Sequence, residues 1–264
     1  MTNLRLGVLT DLHLAPAGSP PRKFINAYPF DRSLAMLDDA LAWFRERDVD
    51  AVAVLGDLVM FEDEASLDAG MSRIANLGKP VLIVPGNHDG LDWPAAIARN
   101  LPNQNLPAWP AAVRAVDVRV EQNPERWWTG GIHLPDAGPA LVLSHFPLVN
   151  VGQYLTDAGF PYAGDATWDD SLEGIQEREA PVVALSGHVH VRYEQAAGAV
   201  LQLGFGALIE PPHAAAILEM REDDDELVVA VEHIDIAPYD VAVVPIISPA
   251  ASSWRFGEDG WQRQ

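Results

Sequence analysis

Cysteine is absent from the 264 residues of the chain, and lysine is nearly absent, with only Lys23 and Lys79. Without cysteine the protein can form no disulfide and no thiolate metal site, so any metal ion must be held by oxygen atoms and imidazole nitrogens. Acidic residues outnumber basic ones, and the formal net charge is −21. This charge disfavours binding to nucleic acid polymers and to anionic membranes, because both require a basic surface.

Long apolar segments are also missing. No run approaches the ~20 residues that span a bilayer, and the first residues, MTNLRLGVLTDLH, lack the charged start, long apolar core and cleavage site of a signal peptide. These features predict a cytoplasmic protein with no membrane partner. No internal repeat or low-complexity linker divides the chain, so we predict one domain over residues 1–264.

The first part of the chain alternates predicted strands and helices. Apolar runs rich in β-branched residues indicate strands, and apolar residues at helical spacing indicate helices. The strands are Leu4–Thr10, Ala51–Leu55 and Val81–Val84, and the helices are Asp31–Arg47, capped by Asp31, and one from the acidic stretch 62–64 to Leu77. A strand–helix–strand–helix–strand order predicts a parallel sheet.

The second part of the chain is predicted to be richer in strands. They are Val113–Val120, Trp127–Leu134, Ala140–Ser144, Pro181–Ser186, Tyr193–Ala197, Val200–Gly204, Ala214–Met220 and Leu227–Ile236. Residues 149–168 are expected to be irregular, followed by a short helix to Glu179. From Pro238 to the last residue we expect a segment that wraps the surface.

Polar side chains that can bind metals follow five of the predicted strands. They are Asp11, His13, Asp57, Asn87, His88, Asp89, His145, His188 and His190. Each stretch on its own is at least as well explained as a polar turn. Because the carboxyl ends of parallel strands share one edge of a sheet, we expect these side chains to converge. Such convergence is much harder to explain by packing alone.

The composition of this set predicts a pair of divalent ions. Apart from His88 and Asp89, it contains two aspartates, four histidines and one asparagine, with Asp57 able to bridge both ions. Because imidazole dominates, Mn, Fe, Zn or Co suits these ligands better than Ca or Mg. Two such ions leave a positive centre that attracts phosphate and can clamp the attacking and leaving oxygens of an in-line displacement.

The motifs Asp-x-His, Gly-Asp, Gly-Asn-His-Asp, His and Gly-His-x-His occur in that order from Asp11 to His190. This order resembles the calcineurin-like metallophosphoesterases. The resemblance implies an α/β fold, a sandwich of two mixed β-sheets flanked by helices. It also implies two metal sites bridged by Asp57, with a hydroxide between the metals attacking phosphorus. The implied ligands are Asp11, His13, Asp57 and His190 for one metal, and Asp57, Asn87, His145 and His188 for the other.

The resemblance also implies roles for the residues beside the ligands. His88 would touch the phosphate or protonate the leaving group, and Asp89 would orient His88 or another imidazole. Gly56, Gly86 and Gly187 would allow tight turns at the site. No motif residue is missing, which favours an active enzyme over a non-catalytic interaction protein on the same fold.

The short Asp-Leu-His block is most similar to the cyclic-nucleotide and glycerol phosphodiesterase branch of this family. A small phosphodiester, such as a cyclic nucleotide or a glycerophosphodiester, is therefore the expected substrate. A metal-dependent phosphomonoesterase or a protein phosphatase is the alternative. Candidate substrate contacts in the loop 14–30 are Arg22, Lys23, Asn26 and Tyr28, although ordinary exposed loop residues explain them equally well. His133 and His233 are expected to be structural or exposed, and so is His213, for which an approach to the site from its loop is the alternative. The sequence makes no prediction of oligomeric state.

Overall fold

Two mixed β-sheets pack face to face and carry helices on their outer surfaces. A computed structural model describes residues 3–24, 26–89, 95, 99–101, 112–115, 118–120, 127–129, 134, 138–160, 173–223, 226–236 and 248–264. The apolar faces of the two sheets form a shared core that includes Leu6, Leu55, Leu143 and Leu185, all at most 1% exposed. The structure therefore has the predicted α/β sandwich.

The larger sheet has seven strands. Numbered in chain order, they are β1 (Asn3–Leu9), β2 (Ala51–Leu55), β3 (Val81–Val84), β11 (Ala214–Asp223), β12 (Glu226–Asp235), β13 (Ala251–Gly257) and β14 (Gly260–Arg263). Their spatial order is β14-β13-β12-β11-β1-β2-β3. β1, β2 and β3 are parallel neighbours, as the alternating strand and helix pattern predicts, and β11 runs antiparallel to β1.

The smaller sheet has five strands in the order β4-β7-β8-β10-β9. They are β4 (Ala112–Ala115), β7 (Ala140–Leu143), β8 (Val182–Ser186), β9 (Tyr193–Ala197) and β10 (Val200–Gly204). β7 and β8 are parallel, so their carboxyl ends lie side by side. A separate two-stranded ribbon pairs β5 (Val118–Val120) with β6 (Trp127–Thr129), within the stretches predicted to form strands.

Helices cover the outer face of each sheet. α1 (Ser33–Glu46) and α2 (Glu64–Ala75) pack on the larger sheet through a core that includes Leu37, Phe44 and Met71. The short helices α3 (Gly152–Asp157) and α4 (Glu173–Gln176) lie by the smaller sheet, where Leu155 and Ile175 join its outer core. α3 falls in a stretch expected to be irregular. Leu155 is its one buried residue, so it lacks the apolar periodicity that predicts a helix.

The two main helices differ in how their first turns are capped. Asp63 caps α2 as the acidic stretch suggests, with its Oδ2 accepting the amide of Ser66 over 2.7 Å. The prediction that Asp31 caps α1 is wrong. Asp31 lies inside a 3-10 turn, Phe30–Arg32, and α1 begins only at Ser33, whose hydroxyl donates to the carbonyl of Phe30 over 2.9 Å.

The C-terminal segment, expected to wrap the surface from Pro238 onward, extends the larger sheet in its described part, 248–264. β13 pairs antiparallel with β12, and β14 closes the hairpin at the sheet edge. Trp261 is 8% exposed and its indole donates to the carbonyl of Ala199 over 2.8 Å, which fixes the hairpin against the smaller sheet. Residues 238–247 lie outside the described part of the chain.

Candidate metal centre

The carboxyl ends of strands from both sheets meet at one place. β1, β2 and β3 deliver residues 11–13, 57 and 87–89, while β7 and β8 deliver His145 and residues 188–190. Backbone pairing continues past the strands, because the amide of His13 donates to the carbonyl of Asp57 over 2.9 Å. The amide of Gly187 likewise donates to the carbonyl of His145 over 3.0 Å. These bonds hold the loops in register, so the side chains converge as expected.

One group of donor atoms comes from Asp11, His13 and His190. Nε2 of His190 lies 3.3 Å from Oδ1 of Asp11 and 3.4 Å from Nε2 of His13. All three residues are nearly fully buried, and one ligand atom from each lies within 4.8 Å of the others. This spacing suits coordination of a single ion by a carboxylate and two imidazoles.

Asp57 lies between this group and a second one. Its Oδ2 is 3.5 Å from Nε2 of His13 and 3.3 Å from Nε2 of His145. Nε2 of His145 is also 3.0 Å from Oδ1 of Asn87. One carboxylate oxygen thus faces the donor atoms of both groups, which is the arrangement that a bridging ligand requires.

The second group is held in place by backbone contacts. Nδ1 of His145 donates to the carbonyl of Leu55 over 2.7 Å, which leaves Nε2 directed at Asp57. The ring of His188 lies 5.2 Å from that of His145 and 4.2 Å from that of Phe146, measured between centroids. His188 therefore stands beside the second group, and its backbone amide donates to Oδ2 of Asp11 over 3.0 Å.

The backbone of the site is unusual. Five of the converging residues have left-handed φ angles, a region that residues with side chains rarely adopt. They are Asp11 (50°), His13 (44°), Asp57 (51°), His188 (67°) and His190 (59°). Such conformations cost of order 1–3 kcal/mol each and concentrate at functional sites. No pattern in the sequence predicts these left-handed conformations.

The charges of the site are strongly coupled. Burial alone would raise the pKa of Asp11, but the neighbouring His190 lowers it to about 2. Burial opposes protonation of His190 and His145, yet Asp11 and Glu210 raise the pKa of His190 to about 10, and Asp57 raises that of His145 to about 9. The buried carboxylates thus draw positive charge into the site.

The same site contains buried polar atoms that make no hydrogen bond. Oδ1 of Asp11 and Nδ1 of His13 accept or donate no hydrogen bond in the described structure. Burial lowers the pKa of His13 and of His188 to about 3, so both imidazoles are neutral and retain a lone pair. Neutral imidazoles, carboxylates that favour nearby positive charge and a carboxylate oxygen that accepts no hydrogen bond fit divalent metal ions well.

His88 and Asp89 occupy different environments. His88 is half-buried, and its ring stands edge-on to that of His13 at 4.9 Å, where it also fits geometrically with His13 and Asp57 as a ligand set. Asp89 was expected to orient an imidazole. Its carboxylate instead accepts the backbone amides of Val59 over 3.0 Å and Gly86 over 2.9 Å.

Asp89 is a positioning group for the backbone. Burial and the nearby Asp57 raise its pKa to about 7. Its two amide donors lie in the loops after β2 and β3, so the carboxylate joins these loops beneath the site. The sequence motif identified the right residue but not its partners, because backbone donors leave no mark in a sequence.

The candidate substrate contacts of the loop 14–30 fall into two classes. Arg22 and Lys23 are exposed, and the Arg22 guanidinium lies over the ring of Phe61 at 5.5 Å. Tyr28 stacks on His13, with centroids 5.2 Å apart and an interplanar angle of 23°. Asn26 is buried and its backbone amide donates to the carboxylate of Glu210. The structure therefore brings two of the four candidates to the centre.

Two further residues at the site escaped the sequence analysis. Phe24 lies 5.2 Å from the ring of His190, and at 42% exposure it is the one exposed large apolar side chain of the described residues. Glu210 is fully buried, with Oε2 2.7 Å from Nδ1 of His190. A signal for Glu210 was present, since it is the single acidic residue at the end of the largely apolar stretch 199–209.

Comparison with known proteins identifies the family. The model of the calcineurin-like phosphoesterase family matches residues 4–192, which contain every predicted metal ligand together with His88 and Asp89. The chain belongs to the calcineurin-like phosphoesterase family. This phosphoesterase is therefore a metal-dependent hydrolase of phosphoric esters, and the resemblance seen in its motifs is confirmed.

Individual relatives of the phosphoesterase are distant. A probable cyclic nucleotide phosphodiesterase of Synechococcus sp. is 24% identical over 212 residues, covering 76% of this chain and 79% of the relative. The crystal structure of a dimetal phosphatase from Danio rerio has a TM-score of 0.57 at 16% identity, covering 86% of this chain and 95% of that one. The second likeness supports the sandwich fold. Within the described residues, no helix is long and apolar enough to cross a membrane.

Proposed function

We propose that the phosphoesterase binds two divalent metal ions and hydrolyses a small phosphodiester. The observation that carries the proposal is the position of Asp57, whose Oδ2 faces Nε2 of His13 on one side and Nε2 of His145 on the other. Asp11, His13, Asp57 and His190 would hold one ion. Asp57, Asn87, His145 and His188 would hold the other.

The donor atoms favour particular metals. Imidazole nitrogens outnumber carboxylates, so Mn, Fe, Zn or Co is expected rather than Ca or Mg. When bound, such a pair supplies positive charge to the phosphate oxygens and lowers the pKa of a water molecule. The protein supplies the geometry, because Leu55, Asp89 and Glu210 hold the imidazoles and loops in place through hydrogen bonds.

His88 is proposed to act on the substrate. It follows the ligand Asn87, is half-buried, and lies against the ring of His13. Its backbone amide is already engaged by Asp57 over 2.8 Å, which fixes the start of its side chain. From this position its imidazole can contact a phosphate oxygen or donate a proton to the leaving oxygen.

A phosphodiester with an aromatic group is the favoured substrate class. The Synechococcus relative is named a probable cyclic nucleotide phosphodiesterase, and Phe24 and Tyr28 present aromatic rings beside His190 and His13. Exposed aromatic rings bind nucleobases by stacking. The net charge of −21 disfavours nucleic acid polymers, which carry many phosphates. A cyclic nucleotide meets all of these conditions, and a glycerophosphodiester meets all but the aromatic one.

The test compares matched esters. The protein is purified with Mn and assayed on 3′,5′-cyclic AMP against AMP, and on a glycerophosphodiester against glycerol phosphate. Higher kcat/KM for the diester in each pair is expected. Preference for the monoester would replace the proposal with a phosphomonoesterase or protein phosphatase. Binding of Mn without turnover of any ester would indicate a non-catalytic interaction protein.

We propose that residues 1–264 form one domain and that the protein acts in the cytoplasm. Both sheets share a core and both contribute to the metal centre, which supports a single unit. Limited proteolysis tests this, since a stable fragment that contains only one of the sheets would contradict it.

A further inference from the structure

Glu210 makes two contacts that link the metal centre to the loop above it. Its Oε2 lies 2.7 Å from Nδ1 of His190, and its Oε1 accepts the backbone amide of Asn26. The residue is 0% exposed. Burying a carboxylate is costly unless it is paired and hydrogen-bonded, so both contacts matter to the folded state.

The contact with His190 determines which ring nitrogen faces the centre. A carboxylate only accepts hydrogen bonds, so Nδ1 of His190 must carry the proton. Nε2 is then the nitrogen that points toward Oδ1 of Asp11, 3.3 Å away. A carboxylate behind a histidine in this way fixes the tautomer and the ring orientation and makes the imidazole a stronger ligand.

The contact with Asn26 fixes the aromatic part of the loop. Phe24 and Tyr28 lie on either side of Asn26 in the sequence, and their rings lie on His190 and His13. The loop is closed by the amide of Tyr28, which donates to the carbonyl of Arg22 over 2.9 Å. Asn26 is thus the point where this closed loop is hydrogen-bonded to the buried carboxylate.

We infer that Glu210 is a positioning residue that serves both the metal and the substrate. Through His190 it strengthens one metal site, and through Asn26 it holds Phe24 and Tyr28 over the centre. This inference rests on the proposed function. It goes further in assigning metal affinity and recognition of the aromatic group to a single residue outside the family motifs.

The first experiment measures metal affinity directly. The metal-free full chain is titrated with Mn²⁺ by calorimetry for wild type, Glu210→Gln, Glu210→Asp and the control Glu194→Gln. Glu194 is similarly buried, but its partners Ser252 and Trp254 belong to the C-terminal hairpin. Glu210→Gln should weaken one Mn²⁺ site about 10–100-fold, Glu210→Asp should restore part of the loss, and the control should match wild type.

The second experiment separates the two roles of Glu210. Asn26→Pro removes the amide donor but leaves His190 and Glu210 intact. It should raise KM for cyclic AMP severalfold with little change in Mn²⁺ affinity, whereas Glu210→Leu, which removes both acceptor oxygens, should change both. This variant also keeps the inference testable if Glu210→Gln folds poorly, because it leaves the contact between Glu210 and His190 in place.

The outcomes distinguish the inference from the proposed function. If wild type binds Mn²⁺ at two sites and turns over esters, but Glu210→Gln binds and reacts like wild type, the inference is overturned and the function stands. If wild type binds no Mn²⁺, the proposed function and the metal role of Glu210 both fail. An equal loss in Glu210→Gln and Glu194→Gln would reduce Glu210 to general structural support.

Discussion

The backbone amide of His88 donates a hydrogen bond to Oδ1 of Asp57 over 2.8 Å. This bond joins the loop after β3 to the carboxylate delivered by β2. Because Oδ1 is engaged, Oδ2 is turned toward His13 and His145. The orientation of the proposed bridging oxygen is therefore fixed by the loop after a neighbouring strand, and not by the side chain of Asp57 alone.

Asp57→Asn should remove bound metal and activity together. The change keeps the shape of the side chain but removes the charge that both groups of donors share. We expect a loss in kcat/KM larger than the ~10²-fold typical of changes outside the ligand set, with metal content measured by elemental analysis. Asp38→Asn is the control, since this exposed carboxylate pairs only with Arg73 at 3.2 Å among the described residues. Full metal occupancy in Asp57→Asn would contradict the bridging role.

His88→Ala should lower the rate while leaving the metal in place. If His88 donates a proton to the leaving oxygen, the rate falls about 10²–10⁴-fold for a poor leaving group and much less for p-nitrophenolate. Rates on a p-nitrophenyl diester and on cyclic AMP provide the comparison. Since His88 also fits a ligand set with His13 and Asp57, a fall in metal content would instead make it a ligand.

Gly187→Ala should disrupt the centre, because the added methyl group would overlap neighbouring side chains. A Cβ at this position would collide with the hydroxyl of Thr10 and with Oδ2 of Asp11. We expect a lower melting temperature and a weaker metal site, read by thermal unfolding with and without Mn²⁺. Gly174→Ala is the matched control, because a Cβ there meets no atom of the described residues within 4 Å. Equal melting temperatures for the two variants would show that the loop can move aside.

His233 should make stability depend on pH. Burial and the nearby Arg192 lower its pKa in the folded protein to about 3, while in the unfolded chain it is near 6.5. Between these values the unfolded state binds more protons, so stability falls as pH falls through this window. The contribution is at most about 1.4 kcal/mol per pH unit for one group.

The variant His233→Leu isolates the contribution of His233 to the pH dependence of stability. Urea unfolding of wild type and variant from pH 7 to pH 4.5 gives two stability curves, and all other groups titrate in both proteins. Wild type should lose more stability toward low pH than the variant does. Parallel curves would mean that the folded protein accommodates a charged imidazole at position 233.

Phe24→Ala should discriminate between substrates. Stacking of a base on an aromatic ring contributes about 1–3 kcal/mol, so KM for cyclic AMP should rise about tenfold or more. KM for a glycerophosphodiester, which has no ring to stack, should change little. A similar rise for both esters would show that Phe24 shapes the loop and does not contact the base.

The positions of the site residues followed from the sequence, but their contacts did not. Asp11, Asp57 and Asn87 each follow a run of apolar residues, and the rule that parallel strands end at one edge was sufficient to bring them together. Glu210 comes to the site from a loop 20 residues beyond His190, and its mark in the sequence is a lone acidic residue at the end of an apolar stretch. Contacts over such separations depend on the fold as a whole.

Prediction of the individual helices and strands meets the same limit. The cap at Asp63 was predictable because an acidic residue precedes a helical pattern. The helix at Gly152–Asp157 was not, because it buries only Leu155. The strands Ala251–Gly257 and Gly260–Arg263 were also missed, since their place at the sheet edge depends on pairing with β12. Contacts with distant parts of the chain therefore determine this helix and these two strands.

The left-handed residues of the centre have a consequence for the stability of the fold. Glycine would relieve the backbone cost at Asp11, His13, Asp57, His188 and His190, yet none of the five is glycine. A glycine at His13 or His188 would lower this backbone cost, but it would delete a ring that packs against Tyr28 or Phe146 and remove a proposed metal ligand. Each of the five positions thus combines a strained backbone with a side chain that faces the candidate metal centre.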